Sequence, residues 1–116
     1  MSRKDMGNQG EEIARALLER NGLDHVQSNF RCDMGEIDLI MRDGDAWVFI
    51  EVKSRSNERF ASVVEQITAD QCQRIRRCAQ LFLIQQNLNE HVTFMRFDIV
   101  AIVMDFEQAQ WLQDAF

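Results

Sequence analysis

The sequence predicts an α/β domain, a mixed sheet covered by helices. Three observations carry this. Two stretches have apolar residues at helical spacing, near the start of the chain and in its second half. Between them lies a β-rich hairpin, and after them the run Ile99-Val100-Ala101-Ile102-Val103 is apolar enough to be central in a sheet. The order is helix, three strands, helix, strand.

The first helix is expected from about Gly10 to Arg20, with the first eight residues loose. Ile13 and Leu17, with Ala14 and Leu18, repeat at i, i+4 and form one stripe. Glu11 and Glu12 fall in its first turn, where negative charge suits the helix dipole, and Asn21-Gly22 is a stop signal. His25 to Cys32 reads as a short mixed strand.

Gly35 to Lys53 reads as two strands joined at Asp43-Gly44-Asp45. If Gly44 and Asp45 form a two-residue loop with Gly first, as a type II′ turn prefers, Asp38 falls opposite Glu51. A four-residue loop from Asp43 to Ala46 gives the same register. An Asp43-Gly44 loop would pair Asp38 with Phe49. In the favoured register the two carboxylates share a face, with Cβ atoms about 4.5–5.5 Å apart. Like charges placed opposite each other destabilise a sheet, and a bound cation is the simplest compensation. Lys53 shares a face with Glu51, two residues before it. Val48, Ile50 and Val52 point the other way, toward the core.

Ser54 to Ala61 is polar and expected to be a loop. The second helix is expected from about Ala69 to Gln86, capped by Thr68 or Asp70, with Ile75, Ala79, Phe82 and Leu83 inward. The tail from Glu107 to Phe116 is expected to be a short helix. Trp47 and Trp111 read as packing residues, although Trp47 lies on the face of Glu51.

A length of 116 residues fits one domain with a proper core. No apolar run is long enough to span a membrane and no signal peptide opens the chain, so the expected address is cytoplasmic. Cys32, Cys72 and Cys78 lack metal-ligand spacing and are expected to be reduced thiols. The net charge of −6 counts against a protein that coats nucleic acid. It leaves room for a local basic surface: Gln71 to Gln86 carries Arg74, Arg76 and Arg77 and no acid.

From spacing alone, Asp38, Glu51 and Lys53 could be a solvated ion-pair face. Their contexts, Glu36-Ile37-Asp38 and Glu51-Val52-Lys53, point further. With the element order, they resemble the restriction-endonuclease-like fold and its Asp…(Asp/Glu)-x-Lys signature. More narrowly, the chain resembles the YraN-like bacterial family, related to archaeal Holliday junction resolvases. The matching pieces are Gly10-Glu11-x-x-Ala14, Asn29-Phe30-Arg31, Gly35 to Ile40, Phe49 to Arg55 and Arg96-Phe97-Asp98. Ile37 stands where many of these nucleases have proline. Gln71 stands where the family often has lysine, and Ala61 where it often has glycine.

The resemblance implies one endonuclease-like domain over residues 1–116. It implies a catalytic trio of Asp38, Glu51 and Lys53, and an Mg²⁺ or Mn²⁺ ion held by Asp38, Glu51 and the Val52 carbonyl. Glu11 is either a further ligand or a plain first-turn acid. Arg31, Arg55, Arg74 and Arg77 are candidates for phosphate contact, although a helix arginine is also ordinary solvated charge. The implied substrate is DNA, including branched or junction DNA, and symmetric junction cutting would need a homodimer. Two other readings stay open: a non-catalytic nucleic-acid-binding module of the same fold, and a protein-interaction adaptor whose contact surface is the acidic C-terminal part.

Overall fold

A computed structural model describes residues 3–55, 67–103 and 108–116, with side chains from Gln9 onward. The described elements are α1 (Arg3–Arg20), β1 (Asp24–Cys32), β2 (Gly35–Asp43), β3 (Ala46–Arg55), α2 (Ala69–Gln85), β4 (Met95–Val103) and β5 (Gln108–Leu112). The strands form one sheet in the order β1-β2-β3-β4-β5. All neighbours are antiparallel except β3 and β4, which run parallel through the segment containing α2. The mixed α/β expectation holds.

The hairpin register is the favoured one. Pairing runs from Asp43↔Ala46 to Leu39↔Ile50. Gly44 has a φ of +59° at the first loop position, the region a type II′ turn needs and glycine tolerates.

Each face of the sheet has its own core. On one side α2 lays Ile75, Cys78, Ala79, Phe82 and Leu83 against Phe30, Ile37, Ile40, Phe49 and Phe97. Trp47 packs here, edge-on to Phe82 at 5.4 Å between centroids, as expected of a packing residue. On the other side α1 lays Ala14 and Leu18 against Leu39, Met41, Val48, Ile50, Val100 and Ile102. With both faces covered, β4 is buried from Phe97 to Val103, which explains its unbroken apolar run.

Four expectations are corrected. The first helix begins at Arg3, so the chain from there is helical rather than loose. The strand before the polar segment runs through Ser54 and Arg55, while residues 56–61 of the expected loop lie outside the described residues. The tail forms β5, not a helix. The apolar residues Trp111, Leu112 and Phe116 suit either state, and long-range partners decide. β4 offers an edge, and the fully buried Asp98 needs donors. Trp111 Nε1 and the Asp114 N–H each reach it at 2.9 Å, alongside the Arg96 guanidinium. Finally, Cys32 and Cys78 form a disulfide, and only Cys72 is a free thiol. Cys32 follows Phe30 by two on β1 and so shares its face, while Cys78 lies on the buried side of α2, so both point into one core.

Thr68 caps α2 through a full capping box. Its hydroxyl accepts the Gln71 N–H at 3.1 Å, and Gln71 Oε1 accepts the Thr68 N–H at 2.9 Å. No described helix is long and apolar enough to cross a membrane.

Candidate metal centre

The β2–β3 ladder stops at Leu39↔Ile50, and Asp38 and Glu51 occupy the next rung, where the strands part. Asp38 marks a change of face. Ile37 belongs to the α2-side core and Leu39, two residues on, to the α1-side core. In a regular strand residues two apart share a face, so β2 turns about its axis at Asp38. The backbone N–H of Val52 donates to Asp38 Oδ2 at 2.7 Å, so a side chain stands in for the missing ladder bond.

Three elements converge on this fork. β2 supplies Asp38 and Glu36, β3 supplies Glu51 and Lys53, and α1 supplies Glu11. A carboxylate oxygen from each of Glu11, Glu36 and Asp38 lies within 4.8 Å of the other two. Gly10 allows α1 to come this close, since a Cβ there would run into the Ser54 side chain of β3. Lys53 Nζ lies 3.4 Å from Glu51 Oε1, with both side chains mostly buried.

The electrostatics are those of crowded acids. Burial, and then the charge of Glu51, push Asp38 up to about 8. Burial raises Glu51, opposed chiefly by Lys53. Burial and then Asp38 raise Glu11, while a hydrogen bond from Asn29 opposes them. The Lys53 ammonium offsets part of this crowding at Glu51.

Two members escaped the sequence reading. Glu36 is two residues before Asp38, and that i, i+2 spacing on a strand was the available signal. Asn29 gave none. It sits on the rung between Ser28↔Leu39 and Phe30↔Ile37, directly across from Asp38. Its φ is +55°. With its amide nitrogen turned toward the acids, it donates to Glu11 Oε1 and Oε2 at 3.2 and 3.3 Å and to Glu36 Oε1 at 2.6 Å.

A hollow of about 150 Å³ opens beside the fork, lined by Met34, Gly35, Glu36, Glu51, Gln71, Arg74 and Ile75. Of the four arginines considered, Arg74 alone lines this hollow. Arg31 extends into solvent, 3.7 Å from Glu36, and Arg77 Nη1 lies 3.7 Å from Met34 Sδ, next to the hollow. Arg55 turns back on the Ser54 carbonyl at 2.8 Å. Arg76 lies over the Phe97 ring at 4.6 Å.

A model described as uncharacterised protein family UPF0102 matches residues 10–102. The chain belongs to that family. A UPF0102 protein of Idiomarina loihiensis is 44% identical over 110 residues, 95% of each chain. One from Yersinia pseudotuberculosis is 45% identical over 116 residues, all of this chain and 97% of its own. The span matched by the UPF0102 model contains every residue of the fork, from Glu11 to Lys53, and stops short of β5.

Proposed function

We propose that this chain is a metal-dependent endonuclease on a restriction-endonuclease-like fold, hydrolysing phosphodiester bonds in DNA, with branched or junction DNA as its substrate class. The observation that carries the reading is the fork itself. Asp38 and Glu51 flank a break in strand pairing, Lys53 sits against Glu51, and Glu11 reaches in from another element.

The donor set fits Mg²⁺ or Mn²⁺, because every candidate is a hard oxygen. Asp38 and Glu51 would hold the ion, with Glu11 beside Asp38. The Val52 carbonyl is a further candidate, because a strand residue's N–H and C=O face the same neighbour and the Val52 N–H faces Asp38. When bound, the ion supplies Lewis-acid stabilisation of phosphoryl charge and eases formation of a nucleophilic water. Lys53 Nζ orients the attacking water or neutralises charge developing on the phosphate. Arg74 is placed to grip a phosphate at the hollow, and Arg77 and Arg31 at its rim. Such contacts position a substrate without reading its sequence.

The test is Mn²⁺- or Mg²⁺-dependent cleavage of junction, flap and linear DNA by the wild type, Asp38→Ala and Lys53→Ala. Cleavage that survives both substitutions would sink the proposal.

One observation favours a second reading, a DNA-binding module without turnover. The Gln71 side chain lines the hollow yet is committed to the α2 cap, so no charge reaches the hollow from that position. Salt-sensitive DNA binding with no cleavage in either metal would select it.

A further inference from the structure

We infer that Asn29 is a positioning residue. Its amide ties Glu11 of α1 to Glu36 of β2 and so sets the spacing of the acidic cluster. Three observations lead there. Asn29 lies on the rung across from Asp38, so its side chain starts at the site. Its backbone is in the left-handed region, which asparagine adopts more readily than most residues. From there the amide reaches both carboxylates, at 3.2 and 3.3 Å to Glu11 and at 2.6 Å to Glu36.

An amide is the group this task needs. It offers two N–H donors and carries no charge. A lysine or arginine in its place would add a cation where the site is to take another. An aspartate would add a further acid. Glu11 and Glu36 belong to elements that the sheet alone does not hold in register, since α1 packs on one face and β2 lies within the sheet. The Asn29 bridge supplies a direct polar tie between them. Groups that orient metal ligands from behind typically change metal affinity by about 10–100-fold when removed.

The part of this inference that concerns a cation rests on the metal-site reading above; the amide bridge itself does not. The experiment separates the two. Asn29→Gly keeps the left-handed backbone and removes the amide. It is combined with Glu11→Ala, which removes the acceptor, in a double-mutant cycle, read as melting temperature without added metal and as Mn²⁺ affinity by calorimetry. The expected result is strong non-additivity. Asn29→Gly lowers the melting temperature when Glu11 is present and has a clearly smaller effect beside Glu11→Ala, where only the bond to Glu36 remains to be lost. It also weakens Mn²⁺ binding about 10-fold. Additive melting shifts would overturn the bridge, whatever the metal does. Intact non-additivity in a protein that binds no Mn²⁺ would uphold the bridge and remove the metal-site reading. Wild-type Mn²⁺ affinity in Asn29→Gly would overturn the positioning role.

Discussion

Val52 gives its backbone N–H to the Asp38 carboxylate at 2.7 Å, on the rung where β3 has lost its backbone partner in β2. The same carboxylate therefore closes the ladder and builds the site, and two substitutions should separate these roles. Asp38→Asn keeps an acceptor oxygen for Val52 and should retain the fold. Asp38→Ala leaves the N–H without its partner, at a cost of about 1–3 kcal/mol. Both should lose Mn²⁺ binding and cleavage. Urea melts and calorimetry on the pair check this.

The raised Asp38 value fixes the sign of a pH effect. Its ordinary value is 3.8 and its folded value is about 8. Between those values the folded chain holds a proton that the unfolded chain releases. Stability without metal should therefore fall as pH rises through that window, by up to about 1.4 kcal/mol per pH unit. Asp38→Asn should flatten the slope. Mn²⁺ should bind more tightly as pH rises, releasing a proton. Melts and calorimetry from pH 5 to pH 9, in two buffers of different ionisation heat, test both statements.

Lys53 separates binding from chemistry. Its ammonium lies 3.4 Å from Glu51 and repels an arriving cation. Lys53→Met should leave Mn²⁺ affinity equal or higher while cutting the cleavage rate by about 10²–10³-fold. A parallel loss of metal binding would place Lys53 among the supports of the site instead.

Asp98 is fully buried and satisfied by Arg96, Trp111 and the Asp114 N–H. Arg96 also spans to Asp43 at 3.0 Å. Asp98→Ala would leave the part-buried Arg96 with Asp43 alone and strand the Trp111 and Asp114 N–H groups, at about 1–3 kcal/mol. The loss should appear first as faster hydrogen exchange in β5.

Thiol titration under non-reducing denaturation should find one free cysteine, Cys72. Cys32→Ser with Cys78→Ser should lower stability by about 2–4 kcal/mol. Three titratable thiols in unreduced protein would remove the disulfide.

The hairpin was legible because turn chemistry and period-two patterning point to one register. Gly44 needed its place in the loop, and that choice set Asp38 opposite Glu51. Both helices were legible from their stripes, and residue type narrowed the α2 cap to Thr68 or Asp70, of which Thr68 caps it. What the sequence hid was contact between distant elements. Nothing local tells Trp111 that Asp98 awaits its N–H, and no spacing rule pairs Cys32 with Cys78. Asn29 belonged to a matching piece of the resemblance, yet nothing in the sequence assigned its side chain a task. Its role depends on a positive φ and on α1 arriving above it, and both are products of the finished fold.

Gly10 lets α1 settle onto β3, and this has a kinetic consequence. The β2–β3 hairpin can form from local contacts with only Asp38 and Glu51 opposed. Docking of α1 is non-local and brings Glu11 against Asp38 and Glu36, so this step works against like charge. A divalent ion bound at the proposed site would offset that repulsion. If the proposed metal site is real, the ion would thus also hasten docking of the first helix, and refolding without it should be slower.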